Sequence, residues 1–137
     1  LNRNAKKGGA LAGTINLQPQ VLNLAMYSGD GFSFKLKCSD ANGAPIDMGG
    51  SVKAQIRNDR LHPEDSSLVD FDVSTVDAYL GIIGLSLTGD DTQSLTDDHG
   101  DANGKFSGVW DVQWTPAGLE PRTICQGIAE CVSDVSR

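Results

Sequence analysis

The chain is short of the residues on which several common designs depend. Among 137 residues there are three cysteines, two histidines and two tryptophans. The three cysteines, Cys38, Cys125 and Cys131, are an odd number, so any intramolecular pairing leaves one thiol over and a disulfide scaffold is not expected. If Cys125 and Cys131 share one strand, they face the same way but stand about 20 Å apart at roughly 3.3 Å per residue, too far for a bridge. All three read as small core or interface residues, and an odd set of thiols points to a reduced, intracellular origin. No cysteine or histidine spacing suits zinc, and no phosphate-cradling glycine loop occurs.

Long apolar runs are also lacking. The richest stretch, residues 79–87, is interrupted by Gly81 and Gly84 and falls far short of the about 20 residues of a membrane-spanning helix, so a soluble protein without a membrane partner is expected. No charged-then-apolar leader opens the chain, so nothing directs secretion, and Leu1 in place of Met implies the loss of at least an initiator residue. Positive charge is scarce: the net charge of −7 argues against a nucleic-acid binder, whose affinity comes mainly from Lys and Arg clusters. The exception is the start, where Arg3, Lys6 and Lys7 stand without an acid among the first nine residues. A basic arm over residues 1–20, extended and without apolar periodicity, precedes an acidic body over residues 21–137.

What the body does have is period-two alternation. Leu22, Leu24 and Met26 alternate with Asn23 and Ala25; Phe32, Phe34, Leu36 and Cys38 alternate with Ser33, Lys35 and Lys37. An Asp-Ala-Asn-Gly turn at 40–43 follows, Asn-Gly being the pair that tolerates positive φ. Val52, Ala54 and Ile56 mark a third strand, and a polar loop runs over 58–67. Val69, Phe71 and Val73 mark a fourth strand, with Asp70 and Asp72 outward. The more uniform apolar run at 79–87 reads as a central strand, with its glycines at a bulge or a close approach. Residues 88–95 read as one short helical turn with Thr88 or Asp90 as N-cap and Leu95 as anchor; no longer helix is expected. After a second polar turn at 97–104, Trp110, Val112 and Trp114 share a face opposite Asp111 and Gln113. A last strand spans 122–132. The sum is an all-β antiparallel sandwich of about seven strands.

Candidates for chemistry are few. Asp97, Asp98, Asp101 and Asn103 are a weak calcium candidate, because the loop ends in Asp-x-Asn-Gly. Its register fails. With Gly104 in the invariant glycine position, His99 falls where the first carboxylate belongs and Trp110 where the bidentate glutamate belongs. A solvated hairpin loop is the simpler reading. His62 and His99 sit in loops without a nucleophile elbow. Asp70 and Asp72 point to a wet face, and Glu64 and Asp65 lie in a loop, so no carboxylate pair suits glycoside hydrolysis. No catalytic residue, resident metal or cofactor is assigned. Trp110 and Trp114 could flank a glycan or peptide groove if exposed, but strand spacing favours core packing. The arm residues Arg3, Lys6 and Lys7 either dock on an acidic neighbouring subunit or form a solubilising end.

Several phrases together carry a resemblance: LNLAMYSGD at 22–30, VKAQIR at 52–57, LSLTGDDTQ at 85–93, GVWDVQW at 108–114 and DVSR at 134–137. In these the chain resembles a family of small β-sandwich virion proteins of tailed phages infecting mycobacteria and related actinobacteria, commonly labelled minor tail proteins. The resemblance implies a non-enzymatic structural role in the particle, other tail or capsid subunits as partners, a homo-oligomeric state and a virion location after assembly in the host cytoplasm. A head-decoration protein is the main rival within that class, and a host glycan- or peptide-binding module the rival outside it.

Overall fold

A computed structural model describes residues 19–58 and 67–133. Most of the basic arm, with Arg3, Lys6 and Lys7, lies outside the described residues, as do His62, Glu64, Asp65 and residues 134–137. The described residues form nine strands and one helix: β1 (Gln20–Val21), β2 (Leu24–Tyr27), β3 (Phe32–Lys37), β4 (Ser51–Arg57), β5 (Val69–Asp70), β6 (Asp72–Asp77), β7 (Ile82–Leu87), α1 (Gly89–His99), β8 (Lys105–Thr115) and β9 (Arg122–Val132). They form two facing sheets, so the fold is the expected all-β sandwich. The larger sheet is ordered β1-β9-β8-β4-β5, with β2 also on β9, and the smaller is β3-β7-β6.

Alternation places the core between them. β8 buries Phe106, Gly108, Trp110, Val112 and Trp114 in strict alternation, and β7 buries Ile83, Leu85 and Leu87. Phe34 from the small sheet meets Trp110 from the large one edge-on, with ring centroids 5.7 Å apart, and Phe71 packs against both at 6.2 and 5.9 Å. These three rings tie the sheets together, and such pairs add to what area burial alone gives.

Four sequence expectations change. The single strand read at 69–73 is two. Val69 and Asp70 pair with β4, while Asp72 onward pairs with β7, so the chain crosses from one sheet to the other at Phe71. Alternation persists through the crossing because the core lies on the same side of the chain throughout. The strand read at 79–87 begins at Ile82; Tyr79 and Leu80 are exposed in the turn before it. The sheet is not wholly antiparallel, since β1 and β2 run parallel to β9. Parallel pairing requires a long crossover, and here nearly the whole domain supplies it.

The fourth change is the helix. The expected single turn is an 11-residue helix, Gly89–His99. Thr88 is the N-cap: its hydroxyl accepts the Asp91 N–H at 3.1 Å while the Asp91 carboxylate accepts the Thr88 N–H at 3.0 Å, a reciprocal capping box. The buried face carries Leu95 as expected, but its other two members are Thr92 and Thr96. Their hydroxyls bind the β2–β3 turn. Thr92 accepts the Gly29 N–H at 3.0 Å and donates to the Asp30 carbonyl at 2.9 Å, and Thr96 shares a hydrogen bond with Ser28 at 2.8 Å. A polar inner face defeats hydrophobic periodicity as a signal. Thr92→Val, which keeps the shape and removes both bonds, is expected to cost about 1–3 kcal/mol, the net worth of two hydrogen bonds, measured as a lower urea midpoint. A loss below a few tenths would show that the hydroxyl does not hold the turn.

Candidate functional site

Helix α1 divides the residues of the calcium candidate. Asp97 and Asp98 belong to its last turn and Asp101 to the hairpin that follows. The Asp97 carboxylate accepts from Gln93 at 2.9 Å along the helix. One Asp101 oxygen accepts two backbone N–H groups, Asn103 at 2.9 Å and Lys105 at 3.0 Å, while the Gly104 N–H closes the turn on the Asp101 carbonyl. Asp40 repeats this arrangement in the earlier turn, accepting from Asn42 and Ala44 while Gly43 closes on its carbonyl. Asn103 enters through its backbone. The carboxylates are therefore divided between a helix and an Asx turn, and among the described residues no group of three His, Cys, Asp or Glu side chains is placed to hold a metal ion.

The Asx turn leaves an electrostatic trace. The N–H groups of Lys105 and then Asn103 hold the Asp101 carboxyl below the usual aspartate range. Its folded-state value is depressed, so its contribution to stability is present above the unfolded value and lost as pH falls through the folded one. An NMR titration of the Asp101 carboxyl is expected to give a midpoint below that of an unstructured aspartate. A midpoint at or above it would contradict the turn geometry.

The tryptophans are core residues, with Trp110 and Trp114 only 1% and 5% exposed. This is the packing that strand spacing favours, and it leaves neither indole on an exposed ligand face. Each indole N–H is satisfied internally, Trp110 by the Leu22 carbonyl at 2.7 Å and Trp114 by the Gly49 carbonyl at 2.9 Å. The first bond exists because the edge breaks between β1 and β2. The Leu22 N–H donates to the Gln126 carbonyl at 2.9 Å, and the Asn23 side chain then stands in for backbone by accepting the Ile128 N–H at 3.0 Å. The residue skipped is Gly127. A Cβ there would collide with the Leu22 carbonyl, so glycine leaves the space through which that carbonyl reaches the indole.

Trp114 also lines a cavity of about 300 Å³ at one end of the sandwich, between β3 and β9. Leu36, Ile46, Met48 and Ile124 share its wall with Cys38 and Cys125. The pairing of β8 with β9 slips after Val112, and Ile124 and Cys125 are consecutive yet both buried, the mark of a β-bulge. Burial pushes both thiols above the usual cysteine value, for Cys125 with an added push from Cys38 and a partial offset from the Gln126 N–H. Cys131, deeper in the core, is pushed up to about 11. All three thiols are free, as expected, and burial disfavours the thiolate form of each.

On the outer face of the large sheet, Arg57 donates to Asp111 at 3.1 Å and to Gln55 at 2.6 Å, and Gln55 donates to Asp70 at 3.1 Å. Burial raises the Asp111 carboxyl, and Arg57 partly offsets that rise. The Arg57 Nε is buried without a partner among the described residues. Alternation had placed these residues outward; their linkage across three strands depends on sheet order, which alternation does not carry. No protein-family model matches the chain, and no curated protein matches it in sequence.

Proposed function

We propose that the chain is a non-enzymatic structural protein of a bacteriophage virion, a minor tail protein assembled through its sandwich and its N-terminal arm. Its partners are other tail or capsid subunits, and it acts as a homo-oligomer within the particle. The supporting observation is the use made of the residues with most chemical capacity. Both tryptophans and two of the three cysteines are buried in the core, and Asp101 is committed to a turn. Among the described residues, what faces solvent is a pair of sheets whose edge strands have no further neighbour, which suits assembly. The phrase-level resemblance to small actinobacteriophage virion sandwiches supplies the address; the fold alone supplies none.

The test is direct. Particles of the encoding phage, purified by density gradient, are analysed by mass spectrometry and imaged by cryo-electron microscopy. The expected result is this chain at fixed stoichiometry in the tail. Density on the head would move the assignment to a decoration protein, and absence from purified particles would overturn it.

A further inference from the structure

A sheet edge is a row of unpaired backbone N–H and C=O groups, and proteins guard such rows with charges, proline, bulges or very short strands. The described residues contain four edges. At β3 the solvent side carries Lys35 and Lys37. At β6 it carries Asp72 and Asp77, with a register irregularity between Thr75 and Asp77. β5 is two residues long. The remaining edge, formed by β1 and β2, is broken at Leu22 and Asn23 and begins with a two-residue strand, but it carries no charge and no proline within its strands. From Gln20 to Gly29 the sequence is QVLNLAMYSG, without a charged residue or a proline. It is also apolar on its surface. Val21 is 73% exposed, Leu22 40% and Tyr27 56%, and Ile128 beside them on β9 is 44% exposed.

We propose that this edge is the dimerisation surface of the protein, pairing antiparallel with the same edge of a second copy about a two-fold axis. Symmetry argues for self-pairing. In an isologous contact each residue meets its own counterpart or a near neighbour, so a β3–β3 pair would bring lysines together and a β6–β6 pair aspartates. Only the β1–β2 edge can meet itself without like-charge repulsion. Pairing would join the two larger sheets into one continuous sheet and cover Val21, Leu22, Tyr27 and Ile128 of both copies. The inference needs nothing of the virion reading.

Ala25 supplies the probe. It is the exposed residue in the middle of β2, between buried Leu24 and Met26, so a charged side chain there stands on the outer face of the sheet in the monomer and beside its counterpart across the two-fold axis in the dimer. Sedimentation equilibrium of the full chain is expected to show a dimer. Ala25→Lys and Ala25→Glu should each weaken it by ~100-fold or more, since like charges across an interface cost several kcal/mol, and an equimolar mixture of the two should restore it. Circular dichroism of each variant checks that the monomer is folded. If Ala25→Lys does not fold, Ala25→Glu with Tyr27→Lys gives the same pair of charges. A monomeric wild type, a dimer indifferent to either charge, or a mixture that stays monomeric would each overturn the proposal. So would a wild-type monomer that dimerises only after residues 1–18 are removed, because the chain's own arm would then occupy the edge.

Discussion

Gly127→Ala is expected to destabilise the domain by about 3–5 kcal/mol, at the upper end for a single substitution. The added methyl would meet the Leu22 carbonyl, which is backbone and cannot swing aside as a side chain would. Two adjustments are open, and both are costly. Moving the carbonyl strips the Trp110 indole of its acceptor and leaves a buried N–H unpaired, a loss of about 1–3 kcal/mol. Holding the carbonyl in place forces β9 away from β8 at the pair Trp110–Gly127, in the middle of the longest ladder of the protein. A domain of this size has about 5–15 kcal/mol in all, so the variant stands near the limit of folding. Urea unfolding should show a large fall in midpoint at unchanged slope. A fall under about 1 kcal/mol would mean that the β1–β2 break is soft and the space at Gly127 is not required.

Trp110→Phe is expected to cost about 2–4 kcal/mol. The variant keeps an aromatic ring against Phe34 and Phe71 but loses part of an indole's volume at a site 1% exposed, and it leaves the Leu22 carbonyl without its donor. The second effect is specific to this architecture. Because Gly127→Ala and Trp110→Phe both act through that carbonyl, their costs should fall short of additivity by about 1 kcal/mol or more in a double-mutant cycle. Simple additivity would separate the cavity at Trp110 from the close approach at Gly127 and undo the explanation given for the edge.

Much of this fold was legible in the chain. Where one side of a strand meets the core and the other meets water, alternation reports it, and β3, β4 and β8 are of that kind. The Asp-Ala-Asn-Gly turns were legible for a local reason too, since glycine at φ near +80° completes each one. What escaped shares one cause: partners distant in sequence. Phe71 alternates correctly, yet alternation does not say that the chain changes sheets there. Thr92 and Thr96 are polar by composition and buried by tertiary context, because Ser28, Gly29 and Asp30 supply their hydrogen bonds from more than sixty residues away.

The candidate site followed the same pattern. Asp97 and Asp98 looked like loop ligands only while α1 was taken to stop at Leu95. The cavity at Trp114 draws its walls from β1, β3, the β3–β4 loop, β8 and β9, a grouping that no local window contains. Gly127 lies within a strand, where glycine permits close backbone approach, but what approaches it is 105 residues earlier in the chain.

The parallel pairing of β1 and β2 with β9 has a mechanical consequence. Parallel neighbours place the N-terminal end of one beside the start of the other, so Gln20 and Val132 lie at opposite ends of the seam. Tension between the two ends of the body therefore runs along the seam and pulls the strands past one another. Every bond of the seam, including the Asn23 side-chain substitute, is loaded at once rather than in turn. Resistance to pulling is a matter of unfolding rate rather than equilibrium stability, and a seam loaded in shear is slow to part. A subunit tethered at one end and tugged at the other would hold longest in this direction.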